Sequence, residues 1–409
     1  MIEIKDKTSC CGCASCVQKC PRHCISMHED NEGFLYPRVE KSACIDCGLC
    51  EKACPMLHVG ERMAPERVFA AKNPDTDKRH RSSSGGVFIA LAHDIICRGG
   101  VVFGAVFDVK WEACHGYAER IEDVYPMMGS KYMQSRIGES YRLAEEFLRN
   151  GREVLFTGTP CQIAGLKIYI GKDYENLTTM DFLCHGVPSP GIWRKYLKEN
   201  ILSDEALMKT ASENGVHLAK DMPFAITDIS FRDKIKGWIG YTFVVRVKQE
   251  NTDSLASMTH EIIIDNNPFM RGYLNDVYLR TSCYSCKCKN GRSKSDVTIA
   301  DFWGIQELMP DFFDDKGIAL VMINSGKGME CIEKLGLMKA ETRLKDVIAL
   351  KSNAGFSERI AIHPKRKQFF DNQEKPFLVI LEQALKPTFR TVLKRYIIKV
   401  RNKIKSMQK

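Results

Sequence analysis

The sequence predicts a small, cysteine-rich α+β domain, then a larger α/β domain with a partly parallel sheet, then C-terminal helices. Three observations carry that fold class. Eight of the first ten cysteines obey one spacing rule written twice. Residues 68–183 alternate short apolar strands with apolar helices across turns marked by glycine and proline. An apolar stripe at helical spacing closes the chain. A length of 409 residues, with 44% hydrophobic and 27% charged residues, suits two or three folded domains.

Several classes are excluded at once. Met1–Asp6 alternates apolar and charged residues, unlike a secretory signal. The longest apolar window, Val87–Phe107, is broken by His93, Asp94 and Arg98, so no bilayer span is expected. The chain therefore reads as cytoplasmic, and 18 cysteines in that setting predict metal or redox chemistry rather than a disulfide scaffold. The net charge of +9 is carried by one tail, since Lys386–Lys409 holds nine basic residues and no acid. Residues 1–385 are neutral, which argues against nucleic acid as a partner.

The N-terminal element is a repeat. Cys10-x2-Cys13-x2-Cys16-x3-Cys20-Pro21 recurs 34 residues later as Cys44-x2-Cys47-x2-Cys50-x3-Cys54-Pro55. Three closely spaced thiolates can close round one corner of a cubane while the fourth reaches the other cluster. The spacing predicts a ferredoxin-like domain over residues 1–60. One 4Fe-4S cluster is expected on Cys10, Cys13, Cys16 and Cys54, and a second on Cys44, Cys47, Cys50 and Cys20. A zinc module is the competing reading, but it explains neither the cross-ligation nor the Cys-Pro endings. Cys11 and Cys24 fall outside the rule and read as bystanders.

The next elements are strand–turn–helix units. Val68–Lys72 reads as a strand, and Ser82-Ser83-Ser84-Gly85-Gly86 opens the helix Val87–Cys97. Its serines are N-cap candidates, and its glycines allow close approach to a phosphate or pyrophosphate; a capped core helix without a ligand is the plainer alternative. Gly100–Asp108 is a strand, Gly129–Ser135 a polar and aromatic loop, and Tyr141–Asn150 a helix ended by Gly151. Val154–Phe156, a Thr-Gly-Thr turn, a helix opened by Pro160, and the strand Leu177–Leu183 form a βαβ crossover, so the two strands should be parallel. Cys161 and Cys184 then share the carboxyl edge of one sheet. Cys283-x2-Cys286 precedes a strand and the turn Asp301-Phe302-Trp303-Gly304. With Cys161 and Cys184 it makes a four-cysteine set that could hold a third cluster or a zinc. Buried thiols, or a nucleophile at Cys161, fit the same spacing. His185 reads as a local hydrogen-bonding residue, and Phe302 and Trp303 as pocket wall or core.

Five phrases resemble one family: Ser82–Phe88, Gly129–Ser135, Phe156–Leu166, Asp181–Pro190 and Arg280–Ile305. The chain resembles the coenzyme F420 hydrogenase/dehydrogenase β-subunit family, in a form with a fused double-cluster ferredoxin, over roughly residues 1–365. The resemblance implies that the α/β domain is flavin-binding, with FAD near the middle of the chain. It also implies a third 4Fe-4S cluster on Cys161, Cys184, Cys283 and Cys286. The candidate cofactor contacts are Ser84, Gly85, Gly86, Lys131, Gln134, Ser135, Thr159 and Arg292. Arg280 and Lys287 are further candidates for flavin phosphates or an anionic substrate; no catalytic residue is singled out. The implied division is 1–60 (two clusters), 66–150 (β-subunit N-terminal part), 151–330 (C-terminal part with the third cluster) and 331–409 (helical, with the basic tail). The implied function is an FAD- and iron–sulfur-dependent oxidoreductase acting on a two-electron substrate, deazaflavin or another small molecule. The alternative is a relay subunit that hands electrons to a partner protein.

The tail closes the reading. Phe389, Val392, Leu393, Tyr396, Ile397, Val400 and Ile404 form one helical stripe after Pro387, with Arg390, Lys394, Arg401 and Lys405 mostly opposite. Such a helix can rest on an anionic membrane surface, making the protein peripheral, or dock on the protein itself.

Overall fold

The computed structural model describes residues 1–219, 224–250, 257–350, 354–356 and 359–387. The basic stripe after Pro387 therefore lies outside the described residues. Among those described, no helix is long and apolar enough to cross a membrane.

The N-terminal repeat is also a repeat in backbone conformation. Gly12 and Ala14 adopt left-handed φ of 71° and 58°, and their equivalents Asp46 and Gly48 adopt 49° and 71°. Each pair opens a single helical turn, Ser15–Gln18 and Leu49–Lys52. The same sequence spacing thus wraps the same loop twice. Between the motifs lies an antiparallel pair, β1 (Ile25–Glu29) and β2 (Leu35–Val39). This small unit is packed hard against the rest of the chain. Gly33 passes Gly191 so closely that a Cβ on Gly33 would lie 2.5 Å from the Gly191 Cα. Ser15 Oγ donates to the Gly165 carbonyl, and Lys19 Nζ to that of Tyr169. The Arg366 guanidinium makes a two-pronged pair with Glu32.

The main body is built on one mixed eight-stranded sheet. Its strands are β3 (Arg67–Lys72), β4 (Val101–Phe107), β5 (Ala113–Ala118), β6 (Val154–Thr157), β7 (Leu177–Phe182), β11 (Val297–Asp301), β12 (Ala319–Ile323) and β13 (Met338–Thr342). The order is β13-β3-β12-β11-β7-β6-β4-β5. The four middle strands, β11, β7, β6 and β4, run parallel. Antiparallel strands flank them on both sides. The expected β6–β7 crossover is present, with Val154 opposite Leu177. Its helix, Pro160–Ile170, starts with proline in the first turn and a reciprocal Thr159–Gln162 capping box. Central strands are apolar on both faces: Val101, Val102, Phe103, Val154, Leu155 and Phe156 are all fully buried.

Three features differ from the sequence reading. The sheet draws strands from before residue 150 and from beyond residue 330, and β13 is a strand in a stretch expected to be helical. A separate three-stranded meander, β8 (Phe224–Asp233), β9 (Thr242–Glu250) and β10 (Ser257–Ile264), packs its aromatic face on the helix Pro190–Asn200. The helix Val87–Cys97 has Gly86 as its N-cap, at φ 79° and with no side-chain cap, not a serine. The serines are engaged elsewhere. Ser82 Oγ donates to the Lys78 carbonyl and Ser84 Oγ to that of Ile318, while Ser83 Oγ accepts from the Ser130 amide.

Candidate cluster and cofactor site

The twelve cysteines expected to bind iron gather in three groups. Cys20, Cys44, Cys47 and Cys50 line a distal cavity, with Cys24 beside them. Cys10, Cys13, Cys16 and Cys54 line an inner cavity. Cys161, Cys184, Cys283 and Cys286 line a third. The fourth cysteine of each repeat thus sits with the other repeat's triplet, the arrangement that cross-ligation requires. Cys11 and Cys288 are also buried in the wall of the third cavity, and Cys11 lines the inner one as well. Cys11, expected as a bystander, therefore lies where the inner and third cavities meet. Its spacing alone could not reveal a neighbour, Cys161, that is 150 residues away.

The donor set suits a cationic cluster core. Burial, with the nearby thiols of Cys10 and Cys54, pushes Cys16 up to about 12. Burial and the Cys286 thiol push Cys283 to about 12. The neighbouring Cys11 thiol, then burial, holds Cys161 well above the ordinary range. So many buried thiols cannot all ionise against one another without positive charge between them. Backbone N–H groups are aimed at the sulfurs. The Asp46 amide donates to Cys44 Sγ at 3.4 Å and the Ile2 amide to Cys50 Sγ at 3.3 Å.

A large cavity, about 530 Å³, opens at the carboxyl ends of the parallel strands. Every motif loop meets there: residues 82–88, 127–133, 157–159, 182–188 and the end of β11. The uncapped start of the helix Val87–Cys97 forms part of its wall, leaving first-turn N–H groups without a side-chain partner. Arg232, Tyr241 and Trp303 form another part. Arg232 makes a two-pronged, buried ion pair with Asp301 and lies over the rings of Tyr241 and Trp303. Asp301 also accepts from the Trp238 indole at 2.9 Å, and Trp238 stacks flat on Trp303 at 4.8 Å.

His115 faces the same cavity. Its Nε2 donates to the Thr157 carbonyl and its Nδ1 accepts from Ser135, whose Oγ in turn accepts from Gln162. Burial pushes His115 down to about 4, so the ring is neutral at physiological pH. Lys234 donates to the carbonyls of Arg79, Ser84 and Lys316, pinning the serine–glycine loop from behind.

Of the expected cofactor contacts, Ser84, Gly85, Gly86, Lys131, Ser135 and Thr159 line the large cavity. Gln134 and Arg292 do not. The Gln134 amide donates to the Cys11 carbonyl and accepts from Arg280. The Arg292 backbone lies against Gly60. Arg280 is fully buried beside Cys10, not in the large cavity. Gly85 is required by packing, because a Cβ there would lie 2.3 Å from the Ala71 carbonyl oxygen and 2.6 Å from the Ala319 nitrogen. Sequence reasoning missed Arg232, Tyr241 and His115; each sits on a strand or hairpin with no motif around it. His185, beside Cys184, has Nε2 2.5 Å from Asp276 Oδ1.

These features define an iron–sulfur protein of the oxidoreductase class, and comparison with known families agrees. Residues 9–57 match the 4Fe-4S dicluster domain. Residues 151–346 match the C-terminal part of the coenzyme F420 hydrogenase/dehydrogenase beta subunit. The chain thus carries a 4Fe-4S dicluster domain ahead of a segment of that β-subunit family. No curated protein matches the chain. A solved structure of the F420-reducing NiFe hydrogenase complex from Methanosarcina barkeri, in a xenon-derivatised form, is similar at 14% identity. The likeness covers 78% of this chain and 94% of that one, with a TM-score of 0.43.

Proposed function

We propose that the chain is an FAD-containing iron–sulfur oxidoreductase that moves electrons between three 4Fe-4S clusters and a small two-electron substrate. One observation carries the reading. Cys11 lines both the inner and the third cavity, and Cys184 lines both the third and the large cavity. The distal set joins this series through Ile2, which lines the inner cavity and donates its amide to Cys50 of the distal one, so the four sites follow one another from the exposed Cys47 to the large cavity.

The residues divide the work. The distal, inner and third cysteine sets would hold the clusters, and the serine–glycine loop with the uncapped helix start would seat a pyrophosphate. When bound, a flavin exchanges hydride for single electrons, and cubanes carry electrons one at a time. Tyr132, Tyr241, Tyr273 and Trp303 supply flat apolar wall for a ring system and exclude water from it. Neutral His115 and Ser135 offer a fixed hydrogen-bond polarity along one side. A deazaflavin substrate is consistent with the family; the cavity chemistry asks only for a planar group that takes a hydride.

Anaerobic purification followed by iron, sulfide and flavin quantification tests the proposal. One FAD and about twelve irons per chain are expected, from three clusters of four. Clusters without flavin, and activity only with a partner protein added, would replace it with the electron-relay reading.

A further inference from the structure

Arg280 is fully buried, and every partner it has among the described residues is uncharged. Nε donates to the Cys10 carbonyl at 2.9 Å, Nη1 to Gln134 Oε1 at 2.8 Å, and Nη2 to the Leu35 carbonyl at 3.0 Å. Nη2 also lies 3.6 Å from Cys10 Sγ, within hydrogen-bond range for sulfur. The guanidinium plane covers the Tyr36 ring at 4.2 Å. Gly12 leaves the room for this approach, since a Cβ there would stand 2.8 Å from Nη1. A buried cation without a carboxylate is costly unless some other negative charge sits beside it. The inner cysteine set provides one when it carries a cluster, because four thiolates outweigh the charge of the core.

We propose that Arg280 sets the reduction potential of the inner cluster and couples that cluster to the loop lining the large cavity. The inference rests on the reading of Cys10, Cys13, Cys16 and Cys54 as cluster ligands. Reduction adds one electron to a cluster that is already negative. A buried cation hydrogen-bonded to a ligand sulfur stabilises the reduced form more than the oxidised one, so the potential rises. The coupling runs through Gln134, which holds Arg280 by its oxygen and the Cys11 carbonyl by its nitrogen. Gln134 belongs to the same loop as Lys131, Tyr132, Met133 and Ser135, all in the cavity wall. Lysine could not substitute, because its single ammonium cannot reach all four acceptors of the fork.

The test uses the full chain, purified anaerobically, with a redox titration followed by electron paramagnetic resonance. In Arg280→Met one of three cluster midpoints should move to more negative potential by at least a tenfold change in reduction equilibrium, about 59 mV for one electron. The other two should stay in place, and Arg280→Lys should recover only part of the shift. Gln134→Met keeps the charge but frees the guanidinium, so it should move the same midpoint in the same direction by less. Its readout stands even where Arg280→Met fails to load iron. Unchanged midpoints in a fully loaded variant, or three midpoints moving together, would overturn the role of Arg280. A parent protein lacking the iron of the two N-terminal clusters would instead overturn the underlying cluster reading.

Discussion

The buried pair in the wall of the large cavity gives the sharpest stability prediction. Asp301→Asn keeps an oxygen for the Trp238 indole but removes the charge that faces Arg232, whose side chain is only 4% exposed. Stripping one partner from a buried ion pair costs about 3–5 kcal/mol, because the other charge stays desolvated and alone. Asp301 itself retains some solvent contact, at 15%, which puts the expectation at the lower end, about 3 kcal/mol. Urea unfolding of the reconstituted protein should show the loss as a lower midpoint at unchanged slope. The double variant Arg232→Met/Asp301→Leu removes both charges and should recover much of it. If Asp301→Asn stays within about 1 kcal/mol of the parent, or if the double variant is no better than the single, the pair is not the desolvated contact described above.

Other expectations follow from the same geometry. Cys161→Ala should lower the iron content from about twelve to about eight per chain, with acid-labile sulfide falling in step; an unchanged count means that the third cavity holds no cluster. His115 is pushed from its ordinary 6.5 down to about 4 by burial. The unfolded chain therefore binds a proton that the folded chain refuses, and stability should fall as pH drops from about 6.5 to about 4, by about 3 kcal/mol in all. A His115→Gln protein whose stability keeps the full parental slope across that window would show that the slope comes from other groups. Gly85→Ala should lower the unfolding midpoint along with any flavin occupancy, since its methyl strikes the Ala71 carbonyl and the Ala319 amide; overpacking of this kind costs about 1–3 kcal/mol. A stable Gly85→Ala chain that merely loses flavin would reinstate close ligand approach as the reason for the glycine.

Much of the site is local in sequence, and that part was legible. Cluster spacing is a property of a few consecutive residues, so the repeat predicted which cysteines gather and even which triplet takes the fourth. The left-handed pairs Gly12/Ala14 and Asp46/Gly48 arise from the same constraint. The β6–β7 crossover was legible too, because a strand, a proline-opened helix and a second strand in so short a stretch have one favoured way to pack. What tertiary structure alone decided involves partners far apart in the chain. The strands β12 and β13 pair antiparallel with β3 from more than 240 residues downstream, and nothing local to either strand announces that partner. Arg232 meets Asp301, and Arg280 meets Cys10, only because the sheet order and the docked N-terminal unit bring them together. The serine caps failed for a related reason. Ser83 and Ser84 had long-range acceptors and donors on Ser130 and Ile318, and those contacts won over the local helix end. Periodicity and spacing report what a short segment can do by itself, whereas the charge balance of a buried guanidinium depends on what the completed fold sets beside it.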